Sequence, residues 1–384
     1  MHLLGVYIHI PFCKRKCNYC DFLSVNADEG VKNVYVEALV QEIKNWKDKY
    51  RYGDREYSVQ TIYIGGGTPS VLMPLYVQNI LVTVKNEFNL ASGSVPDIEV
   101  TIEVNPGTVD KEKLKIYREA GINRLSIGLQ SANDNELKLL GRIHSFDDFI
   151  RTYEAARECG FDNISVDVMT AIPGQTMSSL KHTLDVVCGL KPEHISAYSL
   201  ILEEGTPFYE KYPDKECLFS EDEEREMYRY TVDFLKEHDY NRYEISNFSL
   251  KGFESRHNTS YWKRIDYIGF GAGASSLING IRYRNTADIG RYMDFPVSDK
   301  YFDEYTELNR QDMIEEFMFL GLRMSEGVSE YEFMKQFGIE LFQMYGEQIG
   351  RLCEEGLITK ETGRIYLTDK GIDYGNYVFS RFLK

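Results

Sequence analysis

The chain has 384 residues, of which 43% are hydrophobic and 27% charged, and its formal net charge is −16 at pH 7. A chain of this length is too long for one small hydrophobic core and predicts one large and one smaller domain. The acidic excess disfavours nucleic acid as a partner, because phosphate backbones bind basic surfaces. No run approaches the roughly 18 apolar residues that a spanning helix needs, so we predict no transmembrane segment.

The first half of the chain alternates between short apolar strands and amphipathic helices. Six strands are predicted, at residues 3–10, 59–67, 98–106, 124–131, 163–174 and 194–202. Helical patterns such as 146–160 and 176–189 lie between them. Sixfold βα repetition predicts an α/β fold, with a parallel sheet rolled into a partial (β/α)6 TIM-like barrel; a flat doubly wound sheet is the alternative.

The second half of the chain has a different pattern. An acidic helix at 220–238 is followed by Tyr- and Gly-rich strand material, and residues from 301 onward are mostly helical. The ending LCEEGLITKETGRIYLTDKG predicts helix, strand, Gly turn and strand, which is typical of a winged helix. This last part carries nine Lys and Arg against sixteen Asp and Glu, so we expect a structural or lid role rather than DNA binding. We predict domain boundaries at 1–210, 211–300 and 301–384.

Three cysteines follow the first predicted strand with the spacing C-x3-C-x2-C, at Cys13, Cys17 and Cys20. Structural zinc sites are closed by four ligands, usually from two separated pairs, and no second pair is present. His9 is an alternative fourth ligand, although a histidine in a strand more often packs or hydrogen-bonds. A [4Fe–4S] cluster needs one ligand per iron, so three cysteines predict a cluster with one iron open to a small molecule.

Polar residues and glycines recur at the carboxyl ends of the predicted strands. Strand 2 ends in Gly65–Thr68, strand 3 in Glu103, strand 4 in Gln130, and Asp167 precedes the end of strand 5. In a parallel barrel these ends meet at one mouth, which predicts a pocket there. Each feature alone also fits a tight turn or a helix cap. Together with Arg142, they suit a ligand with an amino-acid end, a ribose and a base, as in S-adenosylmethionine.

The cysteine spacing, with Tyr19 before the last cysteine, and the later GGGTP resemble the radical S-adenosylmethionine (SAM) superfamily. Within that superfamily, the chain resembles the oxygen-independent coproporphyrinogen III oxidase-like group over about residues 5–290. The motifs that carry this resemblance are YIHIPFC, GGGTPS, IEVNPG, SIGLQS, LGR-x-H and DVMTAIPGQT. The resemblance implies that Cys13, Cys17 and Cys20 hold a [4Fe–4S] cluster, whose reduction cleaves bound SAM to a 5′-deoxyadenosyl radical. It implies SAM contacts from Tyr7, Gly66, Gly67, Thr68, Glu103, Gln130, Arg142 and Asp167.

Two features depart from the oxidase pattern. The oxidases carry a fourth cysteine two residues after the third, where this chain has Phe22. The oxidases also have a long N-terminal extension, whereas six residues precede Tyr7 in this sequence. Both departures argue against porphyrinogen decarboxylation by this chain, and whether it is an enzyme is left open.

RHNTSYW (256–262) contains H-N-x-x-Y-W, which resembles the signature of the HemW subgroup, the heme chaperones. The resemblance implies a heme site at His257, Tyr261 and Trp262. An imidazole can ligate heme iron, and Tyr261 at i+4 shares the helical face of His257. The alternative is that His257 only hydrogen-bonds within a Tyr-rich core.

Taken together, these resemblances imply a heme chaperone that uses a [4Fe–4S] cluster and SAM to deliver heme to acceptor heme proteins. The alternatives are the oxygen-independent coproporphyrinogen III oxidase, which converts two propionates to vinyls, and an anaerobic heme-degrading methyltransferase. Each of these three functions needs an electron donor for the cluster. Seven cysteines, an odd number, and the absence of a signal-peptide pattern predict a cytoplasmic location.

Overall fold

The computed structural model describes residues 2–46, 56–91, 98–212, 219–294 and 302–383. The six predicted strands are present within one or a few residues of their expected ends. They are β1 (His2–Ile10), β2 (Tyr57–Gly66), β3 (Glu99–Val104), β4 (Arg124–Gln130), β5 (Ile164–Thr170) and β6 (His194–Ser199). Each pairs in parallel with the next, in the order β1-β2-β3-β4-β5-β6.

Helices connect these strands and lie on one face of the sheet. They are α1 (Glu29–Lys44), α2 (Pro74–Glu87), α3 (Lys111–Glu119), α4 (Asp134–Leu139), α5 (Phe146–Glu158) and α6 (Met177–Leu190). A doubly wound sheet reverses its strand order at a switch point, whereas sequential order with right-handed crossovers keeps all helices on one side. The partial-barrel prediction is therefore confirmed, and the doubly wound alternative is wrong.

Six further strands extend the sheet at both edges. They are β7 (Asn241–Glu244), β8 (Asn247–Ser249), β9 (Tyr267–Phe270), β10 (Ser275–Ile278), β11 (Ile281–Asn285) and β12 (Phe302–Glu307), beside helices α7 (Pro207–Lys211), α8 (Glu221–Glu237), α9 (Arg256–Trp262) and α10 (Ile289–Asp294). β8 runs antiparallel to β6, and β9 runs parallel to β1. The H-N-x-x-Y-W motif forms α9, which contacts β2.

The C-terminal part has a core of its own. It contains α11 (Arg310–Gly321), β13 (Val328–Ser329), α12 (Glu330–Phe337), α13 (Leu341–Glu354), β14 (Ile358–Glu361), β15 (Arg364–Leu367), α14 (Asp369–Asp373) and α15 (Gly375–Ser380). The β14–β15 hairpin turns at Gly363, and β13 completes a three-stranded sheet in the order β13-β15-β14. This is the predicted winged-helix pattern. The exact domain boundaries stay predictions.

Strand residues alternate between the helix-covered face and the inner face of the curved sheet. In β4, Leu125, Ile127 and Leu129 join the main apolar core, whereas Arg124 and Gln130 line an internal cavity. The inner face is thus polar at these positions, whereas the interior of a closed eight-stranded TIM barrel is packed mainly with branched apolar residues. No helix in the described ranges is long and apolar enough to cross a membrane.

Candidate functional site

The inner faces of β2 to β6 enclose a cavity of about 370 Å³, which we call the chamber. Seven of the eight residues predicted to contact SAM line it: Gly66, Gly67, Thr68, Glu103, Gln130, Arg142 and Asp167. Cys13, Cys17 and Cys20 line its mouth together with Phe22, which is 62% exposed. The chamber therefore gathers residues that are separated by more than 150 positions in the sequence.

The three cysteines lie on the loop that follows β1, and each is partly exposed. Cys13 Sγ lies 3.3 Å from Thr68 Oγ1, and the Arg142 guanidinium donates to Cys17 Sγ at 3.7 Å. Burial raises the pKa of Cys20 to about 11. Among the described residues, no three His, Cys, Asp or Glu side chains converge to hold a single metal ion. Three thiolates around one open mouth suit a cluster, in which each takes its own iron.

The glycines of GGGTP place the end of β2 against the segment that leads to the cysteines. Gly66 has φ +110°, and a Cβ there would lie 2.6 Å from the ring of His9. A Cβ on Gly67 would lie 2.9 Å from the carbonyl oxygen of Phe12. The N–H groups of Gly67 and Thr68 donate to Ile10 O at 2.9 Å and Phe12 O at 2.8 Å. The glycines thus allow the end of β2 to lie close to the backbone of the segment that leads to the cysteines, and they also face the chamber.

Two carboxyl groups lie on the inner face of the chamber. Glu103 accepts hydrogen bonds from the Tyr63 hydroxyl at 2.8 Å and from Gly66 N–H at 3.1 Å, and burial raises its pKa to about 7. Burial also raises the pKa of Asp167, which accepts from the Ser126 hydroxyl at 3.2 Å. Carboxyl groups in this setting suit ribose hydroxyls or an ammonium group, both of which can donate to them.

Arg142 and Gln130 are fixed at the rim of the chamber. The Arg142 guanidinium donates to Asn105 Oδ1 at 2.9 Å and to Gly128 O at 2.6 Å. Gln130 has φ +74°, which is uncommon outside glycine, and its Oε1 accepts from the Tyr198 hydroxyl at 3.0 Å. Backbone strain of this kind concentrates at functional sites.

Tyr7 is the one predicted SAM residue that does not line the chamber. Its ring stacks beside Tyr63, with 6.3 Å between centroids, and its hydroxyl lies 2.9 Å from His9 Nδ1. His9 Nε2 lies 3.1 Å from Leu23 O, on the cysteine loop. Tyr7 therefore contacts Tyr63 and His9, and its predicted contact with SAM stays a prediction. His9 is engaged in hydrogen bonds on both ring nitrogens.

The motif helix α9 lies beneath the barrel and not at its mouth. His257 is 1% exposed, and its Nδ1 and Nε2 lie 2.8 Å from Thr61 Oγ1 and 2.8 Å from the Tyr261 hydroxyl. Burial lowers the pKa of His257 to about 3. His257 and Tyr261 do share a face, as predicted, but this face packs against the barrel base. A heme iron would have to displace one of these hydrogen bonds to reach the imidazole.

Trp262 lies on the other side of α9, toward the C-terminal part. The Arg323 guanidinium lies over its indole ring, 4.4 Å from the centroid. Neither Trp262 nor the pair His257 and Tyr261 lines the chamber, whereas Asn258 of the same motif does. The heme assignment of the three predicted residues stays a prediction.

Sequence reasoning missed Arg124, Tyr63 and Ser126 as chamber residues. The signal was present in R-L-S-I-G-L-Q, because strict alternation puts Arg124, Ser126 and Gln130 on one face. Tyr63 alternates in the same way with Gly65 on β2. Because only residues at the strand ends were considered, the prediction included the residues at the mouth of the chamber and missed those at its floor.

Two family models match separate parts of the chain. A family model described as the Radical SAM superfamily matches residues 7–187, and one described as the HemN C-terminal domain matches residues 308–374. The chain is 39% identical over 380 residues to heme chaperone HemW of Lactococcus lactis, covering 99% of this chain and 97% of that protein. The chain belongs to the HemW family.

Other members are similarly related to it. Heme chaperone HemW of Bacillus subtilis is 39% identical over 382 residues, covering 99% of both chains, and that of Escherichia coli is 32% identical over 387 residues, covering 99% and 98%. The structure of Escherichia coli coproporphyrinogen III oxidase (HemN) matches with a TM-score of 0.84 at 23% identity, covering 99% of this chain and 90% of that one. This last likeness confirms the radical SAM fold, and the HemW relationship confirms the family predicted from the motifs.

Proposed function

We propose that this protein is a heme chaperone that binds heme and transfers it to acceptor heme proteins, using a [4Fe–4S] cluster and SAM. The observation that carries the proposal is the full-length relationship to proteins described as heme chaperones, which includes the C-terminal part. Phe22 at the position of the oxidases' extra cysteine agrees with it. The cytoplasm stays the predicted location.

In this function Cys13, Cys17 and Cys20 hold the cluster, and the chamber holds SAM. A cluster held by these cysteines would supply the electron for cleavage of SAM, and this chemistry would require an external electron donor. Glu103 and Asp167 accept hydrogen bonds from the ligand, and the Arg142 guanidinium supplies positive charge beside Cys17. The backbone at Gly66 and Gly67 leaves room for the ligand, since neither residue has a side chain to fill the chamber.

Heme binding in this function uses the motif helix. His257 is neutral at physiological pH because burial lowers its pKa to about 3, and neutral imidazole is the form that ligates iron. Release of the Tyr261 hydroxyl from Nε2 frees this ligand. The same step exposes Tyr261 for contact with the macrocycle, next to Trp262.

The test uses protein purified and reconstituted without oxygen, with dithionite and SAM. One sample receives hemin and another coproporphyrinogen III, and the Soret band and porphyrin products are followed. Loss of the Soret shift in Cys13→Ala would indicate that heme uptake depends on the cluster, and loss in His257→Ala would indicate that His257 is part of the heme site. Cys159→Ala is the control, because Cys159 lies outside the chamber. Hemin uptake without vinyl products supports the chaperone. Formation of protoporphyrinogen would overturn it in favour of the oxidase.

A further inference from the structure

The floor of the chamber holds a buried arginine with an unused hydrogen-bond donor. Arg124 is the first residue of β4 and is 2% exposed. Its Nε is buried and has no hydrogen-bond partner, and its charge acts on Asp167 across the chamber without a direct ion pair among the described residues. An unpaired buried charge is costly, so such a group normally has a counter-ion in the state that the protein uses.

Two other buried charged residues illustrate how partners are supplied in the described part of the chain. Arg264 donates to Glu316 at 2.9 Å, with both side chains under a tenth exposed. The fully buried Glu42 accepts from Asn285 Nδ2 at 2.9 Å and from the backbone N–H of Gly271. Arg124 differs from these residues because its surroundings leave its donors unused.

Among the described residues, no carboxylate lies within ion-pair distance of Arg124. Asp167 lies in the same chamber and accepts from Ser126; burial raises its pKa, and the charge of Arg124 opposes this shift. His194 and His257 also face Arg124, and burial, followed by the charge of Arg124, lowers the pKa of both. Both histidines are therefore neutral, and the neighbouring tyrosines, whose pKa values burial raises, are neutral as well.

Asn258 adds a second donor to the chamber floor. It belongs to the H-N-x-x-Y-W motif and lines the chamber with Arg124. Its backbone N–H donates to Ser255 Oγ at 3.3 Å, and among the described residues its side-chain amide has no hydrogen-bond partner. A guanidinium fork and a carboxamide N–H together match the two oxygens of a carboxylate.

The chamber opens toward a larger cleft that can hold a macrocycle. This cleft has a volume of about 840 Å³ and shares Tyr198 and Ser246 with the chamber. Its walls include Leu200 on the barrel side and Tyr374 and Tyr377 on the C-terminal side. Charged side chains such as Glu221, Arg225 and Asp373 line the cleft as well. A cleft of this size suits a large organic ligand, whereas the chamber itself is too small for a porphyrin and SAM together.

We propose that the chamber floor is a carboxylate-binding subsite, in which Arg124 pairs with the carboxylate and Asn258 donates a further hydrogen bond. This inference rests on the proposed function for its occupant, a heme propionate that enters from the neighbouring cleft past Ser246. A free small carboxylate has the same chemistry, and the experiment separates the two sources. The motif thus contributes Asn258 to this subsite, whereas His257 lines neither the chamber nor the cleft.

The first arm measures thermal stability and binding with sodium acetate as the probe, at constant ionic strength set with chloride. Acetate should raise the Tm of the wild type, less so that of Arg124→Lys, and not that of Arg124→Met. Asn258→Asp places a carboxylate beside Arg124, so it should abolish the acetate response while keeping a Tm no lower than that of the wild type. Arg118→Met, on α3 outside the chamber, is the control and should respond like the wild type.

Two outcomes of this arm overturn the subsite. One is that acetate does not raise the Tm of the wild type, or raises it equally in the wild type and in Arg124→Met. The other is a response to sodium phosphate without any response to acetate. Because Asn258→Asp is expected to stay folded, loss of its acetate response cannot be attributed to unfolding.

The second arm compares hemin with hemin dimethyl ester, which lacks free carboxylates. The wild type should bind hemin about tenfold more tightly than the ester, and in Arg124→Met the ratio should fall to about one. An Arg124-dependent acetate response with equal binding of hemin and ester overturns the propionate as occupant and assigns the subsite to a free carboxylate. If neither the wild type nor any variant binds hemin and the acetate response is intact, the proposed function is refuted, whereas the carboxylate-binding subsite is still supported.

Discussion

The ring of His257 stacks on the ring of Tyr63, with 5.1 Å between centroids and 22° between planes. The Tyr63 hydroxyl in turn donates to Glu103, which also accepts from Gly66 N–H. The motif helix and the chamber mouth are thus joined by consecutive side-chain contacts. The residues that we propose for heme and for SAM are therefore connected through Tyr63.

We predict that Glu103→Gln stabilises the ligand-free protein, and more so as pH rises. The pKa of Glu103 is raised from 4.5 to about 7, so the folded state retains a proton that the unfolded state has lost. The stability of the wild type therefore falls as pH rises from 4.5 to 7, by up to about 3 kcal/mol from this group. Urea unfolding of both proteins at pH 5 and pH 8 measures the difference.

The comparison variant is Glu112→Gln, on α3 outside the chamber, whose stability should follow the wild type at both pH values. An equal effect of Glu103→Gln at pH 5 and pH 8 would contradict the raised pKa. Glu103→Gln should also weaken SAM binding, because the amide is a poorer acceptor than the carboxylate.

We predict opposite effects on heme affinity for two changes in α9. His257→Ala should abolish the Soret shift with hemin, since it removes the iron ligand. Tyr261→Phe should strengthen hemin binding about five- to tenfold, because the imidazole no longer has to give up a hydrogen bond of about 1 kcal/mol. Hemin titrations followed at the Soret band measure both, and identical behaviour of the two variants would refute His257 as the ligand.

Hemin affinity should also be independent of pH between 5 and 8. The pKa of His257 is lowered from 6.5 to about 3, so no proton competes with iron in this range. The same shift means that the folded state loses stability as pH falls from 6.5 toward 3, because the unfolded state takes up the proton first. A loss of hemin affinity centred near pH 6.5 would instead indicate an exposed histidine.

We predict that Gly66→Ala impairs assembly of the cluster. The substitution combines φ +110° with a Cβ 2.6 Å from His9, which holds Leu23 on the cysteine loop. Gly107→Ala is the matched control, since its φ is +75° but no atom lies within 4 Å of the added Cβ. Gly107→Ala should cost about 1 kcal/mol, and Gly66→Ala about 1–3 kcal/mol more. Iron content after reconstitution and urea unfolding measure the two effects.

We predict that Glu316→Ala strongly destabilises the contact between barrel and C-terminal part. Glu316 on α11 is buried and binds Arg264 at 2.9 Å and Arg282 at 2.7 Å. Removing it leaves Arg264 buried and unpaired, at a cost of about 3–5 kcal/mol. Glu304→Ala breaks the exposed pair with Arg284 and should cost less than about 1 kcal/mol. Comparable losses in urea unfolding would contradict this assignment.

The barrel and the mouth of its chamber could be predicted from the sequence because both depend on local patterns. Strand and helix periodicity gave six βα units, and sequential pairing of parallel strands brings their carboxyl ends to one mouth. Polar residues at these ends, such as Glu103 and Asp167, were therefore predicted to meet, and they line one chamber. The cysteine spacing likewise lies within one loop.

The surroundings of His257 and Arg124 depended on the tertiary structure. A seven-residue helix shows which of its residues share a face, but not whether that face meets solvent or the barrel base. α9 packs under β2, which buries His257 against Thr61 and leaves Asn258 in the chamber. The sequence by itself determined the family, the fold and the cysteine loop, because these follow from short-range order. Only tertiary packing decided which buried charge lacks a partner, because that depends on distances between segments remote in sequence.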